Sequence, residues 1–228
     1  VYTNLINCLD LAGVAIKSEQ RLNTAPLIGA GGHCVYNPEP LADIVDFFAL
    51  GDGEEVVTEI TNVLHSFKSL NGTPESRSQI LRELSKVEGV YVPSMYEASY
   101  NQNGCQTLEP IYDDVPKLIE KRTIVDLGDW PYPKEQLVPI TDVVHDRLNV
   151  EVFRGCTRGC RFCQAGMITR PVRERPDDQV RTMVQSGLKR TGYDEVALTS
   201  LSTADYSGIK EVVEETVSDP INCCLLYT

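Results

Sequence analysis

Three of the chain's eight cysteines fall within eight residues, as Cys156-Thr157-Arg158-Gly159-Cys160-Arg161-Phe162-Cys163. A C-x3-C-x2-C run lets one loop wrap its thiolates around a single metal centre. Three sulfurs fill three corners and leave a fourth open. A structural zinc site closes with a fourth ligand. An iron–sulfur cubane held by three protein thiolates keeps one iron free. Spacing alone leaves both metals open. Gly155 and Gly159 allow a tight turn and a close backbone approach to the sulfurs. Arg154, Arg158 and Arg161 are placed to offset the negative charge of thiolates and cluster.

The stretch from Arg154 to Cys163 resembles the signature of the radical S-adenosylmethionine enzymes, C-x3-C-x-(aromatic)-C, with Phe162 at the aromatic position. The continuation Gln164-Ala165-Gly166, with Arg170-Pro171-Val172-Arg173-Glu174-Arg175, resembles a largely uncharacterised group of that superfamily. In that group a cobalamin-binding-like domain precedes the radical barrel. The resemblance implies a 4Fe–4S cluster ligated by Cys156, Cys160 and Cys163. It implies S-adenosylmethionine on the open iron and a one-electron donor such as flavodoxin or ferredoxin. Reductive cleavage would then give methionine and a 5′-deoxyadenosyl radical that takes hydrogen from an unreactive carbon. Phe162 would shield the cluster near the adenine.

The same resemblance directs attention to Thr199-Ser200-Leu201-Ser202-Thr203-Ala204-Asp205-Tyr206. Superfamily members carry a Gly-Gly-Glu-like segment here that holds the methionine amino group. In this chain Ser and Thr replace it, as in related methylthiotransferases. Ser200, Ser202 and Thr203 would offer hydroxyls or carbonyls to the ammonium. Arg170 and Arg173 would meet an anionic substrate or the cofactor carboxylate. No catalytic residue and no substrate is readable. A cobalamin ligand would come from an Asp-x-His-x-x-Gly motif, which the chain lacks; His33, His65 and His145 read as structural. Cobalamin is therefore unsupported in this chain.

The elements that must position these residues follow from periodicity. Asn149 to Phe153 reads as a strand, with the cysteine loop after it. Val180, Met183, Val184 and Leu188 predict a helix over 178–190, capped by Asp177 and stopped at Gly192. Glu195 to Ser200 reads as a strand, 207–217 as a helix, and Ile221 to Tyr227 as a third strand. This alternation is the opening of a parallel β/α barrel. Both polar loops, 154–176 and 201–206, follow strand ends, where barrel sites gather.

Upstream, a helix is expected over 4–16, with Leu5, Ile6, Leu9 and Ala12 facing inward. A strand at Leu27-Ile28 leads into Gly29-Ala30-Gly31-Gly32. A short helix runs from Leu41 into a strand near 46–50. The turn Gly51-Asp52-Gly53 opens a helix over 54–70, whose early glutamates suit its positive end. These steps read as part of a doubly wound α/β domain. Their glycine loops resemble those of cobalamin-binding-like domains fused to radical enzymes. Residues 71–148 read as a Pro-rich connector, with a helix over 75–86 and short strands at 90–92 and 123–125. The expected fold is thus α/β: a partial cobalamin-binding-like doubly wound domain (1–70), the connector (71–148), and the first β/α units of a radical SAM partial TIM barrel (149–228).

Composition agrees with a packed protein and removes some classes. The chain has 228 residues, 42% hydrophobic and 24% charged. No apolar run approaches the roughly 20 residues of a membrane span. The net charge of −12 argues against a general nucleic-acid coat or a membrane-surface binder. Residues 1–150 hold 11 basic and 22 acidic side chains, while 151–175 hold six arginines and two glutamates. That positive loop suggests either an anionic ligand or arginines paired with nearby carboxylates. Cys8 and Cys34 read as small buried side chains, Cys105 as a free loop cysteine or else a distant fourth ligand, and Cys223 and Cys224 carry no assigned role. No export signal is visible, and a reduced, cytoplasmic setting is expected. The sequence reads as a fragment of a longer protein, so little turnover is expected of it alone. Two other readings stand beside the enzyme: an iron–sulfur or zinc module without radical chemistry, and an inactive truncated product.

Overall fold

The computed structural model describes residues 2–68, 74–218 and 222–227. The chain divides into two compact units, Val1–Ile124 and Val125–Thr228. Among the described residues no helix is long and apolar enough to cross a membrane.

In the first unit, β1 (Gly29–Gly31), β2 (Phe47–Ala49) and β3 (Val90–Tyr91) form one sheet in that order. β1 and β2 are parallel, as a β–α alternation requires, but β3 runs antiparallel to β2. The sheet is therefore mixed. α1 (Tyr2–Leu11), α2 (Gly53–Ser66) and α3 (Pro74–Leu84) accompany it. Phe48, Leu84, Val90 and Val92 are completely buried in one core with Val45, Val56, Ile60 and Leu81. The segment expected as a connector thus supplies much of this core. Its strand expected at 123–125 is reduced to one parallel bridge between Gly51 and Arg122.

α1 stops five residues before its expected end. Gly13 takes a left-handed φ of 66°. Its amide donates to the Asp10 carbonyl, and the Val14 amide donates to the Leu9 carbonyl at 2.9 Å. This paired closure is a Schellman cap, and Gly13 was its sequence signal. The inward face is correspondingly narrower: Leu9 is buried, whereas Ile6 and Ala12 are exposed. Cys8 and Cys34, expected to be buried, are exposed as well; the fold uses the Cys34 carbonyl, which accepts the Tyr2 hydroxyl.

A hairpin not anticipated from the sequence, β4 (Tyr96–Tyr100) with β5 (Gln106–Pro110), turns at Asn101–Cys105. The Asn101 carboxamide accepts the amides of Asn103 and Cys105, and Gly104 supplies a positive φ. This is an Asx turn of the kind that Asn favours.

One charged group is built into this unit. Asp46, 4% exposed, accepts Arg21 at 2.7 Å and Arg77 at 2.8 Å, and also the Ile28 amide. The carbonyls of Ala15, Ile16, Ile44 and Ala25 take further guanidinium donors. Three separate parts of the chain, Arg21, Ile28 and Arg77, meet at one carboxylate. Buried charge is tolerated only when paired and fully hydrogen-bonded.

In the second unit, β6 (Leu148–Glu151), β9 (Glu195–Ser200) and β10 (Asn222–Tyr227) make a parallel sheet with β9 central. α5 (Asp177–Thr191) connects β6 to β9, and α6 (Ile209–Ser218) connects β9 to β10. This is the expected strand–helix–strand–helix–strand order. Ile221 and the side chains of Cys223 and Cys224 lie outside the described residues. Val150, Val152, Val180, Val196 and Leu198 form the core between sheet and helices. Gly187 lets α5 settle on β6: a Cβ there would meet Leu148 at 2.7 Å. Gly192 ends α5 in the left-handed conformation, as its position predicts. Asp177 does not cap the helix. Pro176 holds the cap position, and the Asp177 carboxylate instead takes Arg181 one turn on.

Asp46→Ala should lower the unfolding free energy by about 3–5 kcal/mol, because it strands two buried guanidinium groups. Urea denaturation measures this, and a loss under about 1 kcal/mol would show the network to be dispensable.

Candidate functional site

The cysteine loop leaves the end of β6 and returns to the same edge. β7 (Phe153–Arg154) pairs antiparallel with β8 (Arg173–Glu174), matching Phe153 with Glu174 and Arg154 with Arg173. This pair pinches the loop at its base. Gly155, at φ 90°, crosses directly against the returning strand: a Cβ there would lie 2.5 Å from the Pro171 carbonyl oxygen. Gly159 also has a positive φ, but its nearest neighbour would be 3.9 Å away. Only the first glycine is demanded by contact.

Within the loop, Cys163 closes a turn by donating its amide to the Cys160 carbonyl. A one-turn helix, α4 (Ala165–Ile168), follows. Gly166 is buried there, and the sulfurs of Cys163 and Cys156 lie 3.8 and 4.0 Å from where its Cβ would be. The Gly166 amide donates to the Cys163 sulfur at 3.4 Å, and the Arg158 amide donates to the Cys156 sulfur at 3.5 Å. Amide donors to sulfur stabilise thiolate and tune iron–sulfur centres. Cys160 is exposed, and all six cysteines with described side chains are free. Among the described residues no three Cys, His, Asp or Glu side chains converge on one point. The sulfurs of Cys156 and Cys163 both lie close to Gly166, each with an amide donor, and Cys160 stands on the same turn. The donor set, three thiols on one short turn, fits a three-thiolate cluster by its chemistry, while the three sulfurs do not converge on one point.

The polar turn after β9 is compact. The Ser200 and Thr203 hydroxyls bond each other at 3.0 Å, and both residues are buried. Ser200 Oγ also accepts the Ser202 amide. The Ser202 hydroxyl donates to Asp205 Oδ2 at 2.6 Å. Asp205 in turn takes Nε of Arg158 at 2.6 Å and a second guanidinium nitrogen of the same residue. The cysteine loop and the turn after β9 are joined by this fork. Phe162 is 92% exposed beside the cysteines.

The six arginines of the loop are mostly committed. Arg154 donates to Glu151 at 2.8 Å. Arg170 donates to the Cys156 carbonyl, and buried Arg173 to the carbonyls of Thr169 and Pro171. Buried Arg175 reaches the Leu127 carbonyl at 2.6 Å and Glu151 at 3.5 Å. Arg161 is exposed. Three of the six, Arg154, Arg158 and Arg175, meet a carboxylate, the pairing that the sequence reading offered, while Arg170 and Arg173 are shown on backbone carbonyls.

The Arg158 guanidinium is held more strongly protonated, first by its bond to Asp205, with smaller contributions from the Cys156 and Cys160 thiols. Asp205 is held below the usual carboxylate range by Arg158 and then by Ser202. A lowered carboxyl stabilises above its unfolded value and loses that effect as pH falls through its folded one. The fork thus persists through the ordinary carboxylate range. Tyr206, stacked on Phe153 and bonded to the Arg175 carbonyl, is pushed up to about 12 by burial and then by nearby carboxylates.

Sequence reasoning missed Asp205, Glu151 and Arg175 as members of this site. Glu151 sits three residues before Arg154, a visible signal; the Arg158–Asp205 contact spans 47 residues and had none. His33, His65 and His145 are exposed, and His145 pairs with Arg147. Cys105 belongs to the hairpin turn of the first unit.

Residues 150–226 match the model of the radical SAM superfamily, and residues 1–93 match that of radical SAM proteins, N-terminal. The chain belongs to the radical SAM superfamily. It is 30% identical over 200 residues to an uncharacterized protein of Methanocaldococcus jannaschii, an alignment covering 86% of this chain. The chain spans 36% of that relative's length. No solved structure matches.

Gly155→Ala and Gly159→Ala each place a side chain at a positive φ, at about 1–2 kcal/mol. Gly155→Ala should cost more, because it also collides with backbone, and should retain less iron after anaerobic reconstitution. Equal urea midpoints for the two variants would contradict this account of the loop base.

Proposed function

We propose that the protein to which this chain belongs is a radical S-adenosylmethionine enzyme, with Cys156, Cys160 and Cys163 as the ligands of a 4Fe–4S cluster. The observation that carries this reading is the cysteine turn, seated after the first parallel strand, with amide donors on two of its sulfurs. When bound, the cluster supplies the electron that opens the C5′–S bond of S-adenosylmethionine to methionine and a 5′-deoxyadenosyl radical. Everything else asked of this chain is binding and orientation.

Ser202 and the carbonyls of the turn after β9 are the groups offered to the methionine ammonium. Ser200 and Thr203 hold that turn through their mutual bond. Phe162 lies free beside the cysteines and would cover the adenine side. Electrons would come from a flavodoxin or ferredoxin in a reduced, cytoplasmic compartment. The parallel β1–β2 step supports reading the first unit as part of a cobalamin-binding-like domain, although no cobalamin ligand motif is present and no step is assigned to cobalamin. A complete barrel needs more β/α units than these three parallel strands supply, so the isolated chain is expected to turn over little or nothing.

Anaerobic reconstitution of the chain with iron and sulfide should give a brown protein with iron bound through the three cysteines. S-adenosylmethionine should then alter the EPR spectrum of the reduced form. A colourless zinc protein would overturn this reading. An iron–sulfur spectrum indifferent to S-adenosylmethionine would favour an electron-carrying module instead.

A further inference from the structure

Three arginines flank the cysteine turn, and a cationic side chain near an iron–sulfur cluster is not neutral in effect. A cluster held by three thiolates is anionic and gains a further negative charge on reduction. A nearby positive charge stabilises the reduced form and raises the potential. Arg154 is withdrawn from that role by Glu151. Arg170 lays its guanidinium on the Cys156 carbonyl, and Arg158 lies within the turn itself, between Cys156 and Cys160. The Arg158 amide bonds the Cys156 sulfur.

Its guanidinium is nevertheless turned to Asp205. Two of its nitrogens bond the two carboxylate oxygens, a fork geometry that fixes orientation as well as distance. The Ser202 hydroxyl bonds Oδ2 of the same carboxylate, and the Asp205 amide donates to the Ser202 carbonyl at 2.8 Å. Asp205 is therefore itself held in place by the turn after β9. A surface ion pair contributes little to stability. Its charge balance beside a metal centre is another matter.

We propose that Asp205 is a positioning residue that cancels the charge of Arg158 beside the cysteine turn and so keeps the cluster's reduction potential low. This inference rests on the functional reading above. A low potential is what delivery of an electron to a sulfonium requires. Without Asp205 the guanidinium is uncompensated, and the reduced cluster becomes too stable to give its electron up easily. Without Arg158 the carboxylate is uncompensated, and the potential moves the other way. The two residues would thus act in opposite directions on one quantity, whereas damage to the loop would move it in one direction for both.

The experiment is an EPR-monitored redox titration of the reconstituted chain in four forms: unaltered, Asp205→Asn, Arg158→Gln, and the double variant. All four should bind the same amount of iron. The potential should shift positive in Asp205→Asn, negative in Arg158→Gln, and return close to the unaltered value in the double variant. Shifts of the same sign, no shift, or loss of iron from either single variant would overturn the inference while leaving the cluster assignment standing. Absence of iron from the unaltered chain would overturn both.

Discussion

The second unit depends on one close backbone approach, that of Gly155 to Pro171. Both ends of the cysteine loop pass through it, because β7 and β8 pair immediately outside it. A side chain at Gly155 would force the strands apart and open the loop. With hydrogen there instead, Arg154 and Arg173 are paired across the ladder, Arg170 reaches the Cys156 carbonyl, and Arg173 reaches the carbonyls of Thr169 and Pro171. The loop is long, yet it is closed at its neck and cross-braced inside. Such bracing places the sulfurs of Cys156 and Cys163 close to Gly166, each with an amide donor. A rigid first layer of ligands is what a cofactor site needs.

Guanidinium groups organise both units, and in each they satisfy carbonyls that would otherwise be stranded. Arg21 and Arg77 gather the carbonyls of Ala15, Ile16, Ile44 and Ala25 around Asp46 in the first unit. Arg173 and Arg175 do the same for Thr169, Pro171 and Leu127 in the second. Irregular backbone buried away from water must find donors, and arginine offers five in a planar fork. The acidic composition of the first 150 residues hides this use, since the arginines there are few but among the most buried charges. Arg122 shows the surface version, with Glu55 at 2.7 Å, Glu88 at 3.0 Å and Glu59 all on one guanidinium.

What the sequence made legible was local. The cysteine spacing, the valine periodicity of α5, its stop at Gly192 and the strand Glu195–Ser200 are each set by neighbours within a turn or a strand. What it concealed was set by distant partners. The β7–β8 pair is two residues on each side, too short to leave a period. The antiparallel β3 depends on which edge of β2 is available, and two residues cannot announce that. The turn after β9 reads as hydroxyl-rich, and that is correct; that the Ser200 and Thr203 hydroxyls bond each other, and Thr203 also the Leu198 carbonyl, cannot be read from composition. The early end of α1 was the exception, because Gly13 was in plain view.

The distinction between local and distant constraints bears on the site itself. Residue types fix which atoms can bind a metal, and three thiols at this spacing mark them without help from the fold. The electrical environment of those thiolates is a property of the fold. Six arginines in one loop suggest a strongly positive site when counted along the chain. In three dimensions Glu151 meets Arg154 and Arg175, and Asp205 arrives from beyond β9 to meet Arg158. The one carboxylate here that the loop's own sequence does not contain, Asp205, meets the arginine whose amide bonds the Cys156 sulfur. Counting charges along the chain misplaces them, because the carboxylate that meets Arg158 lies 47 residues away.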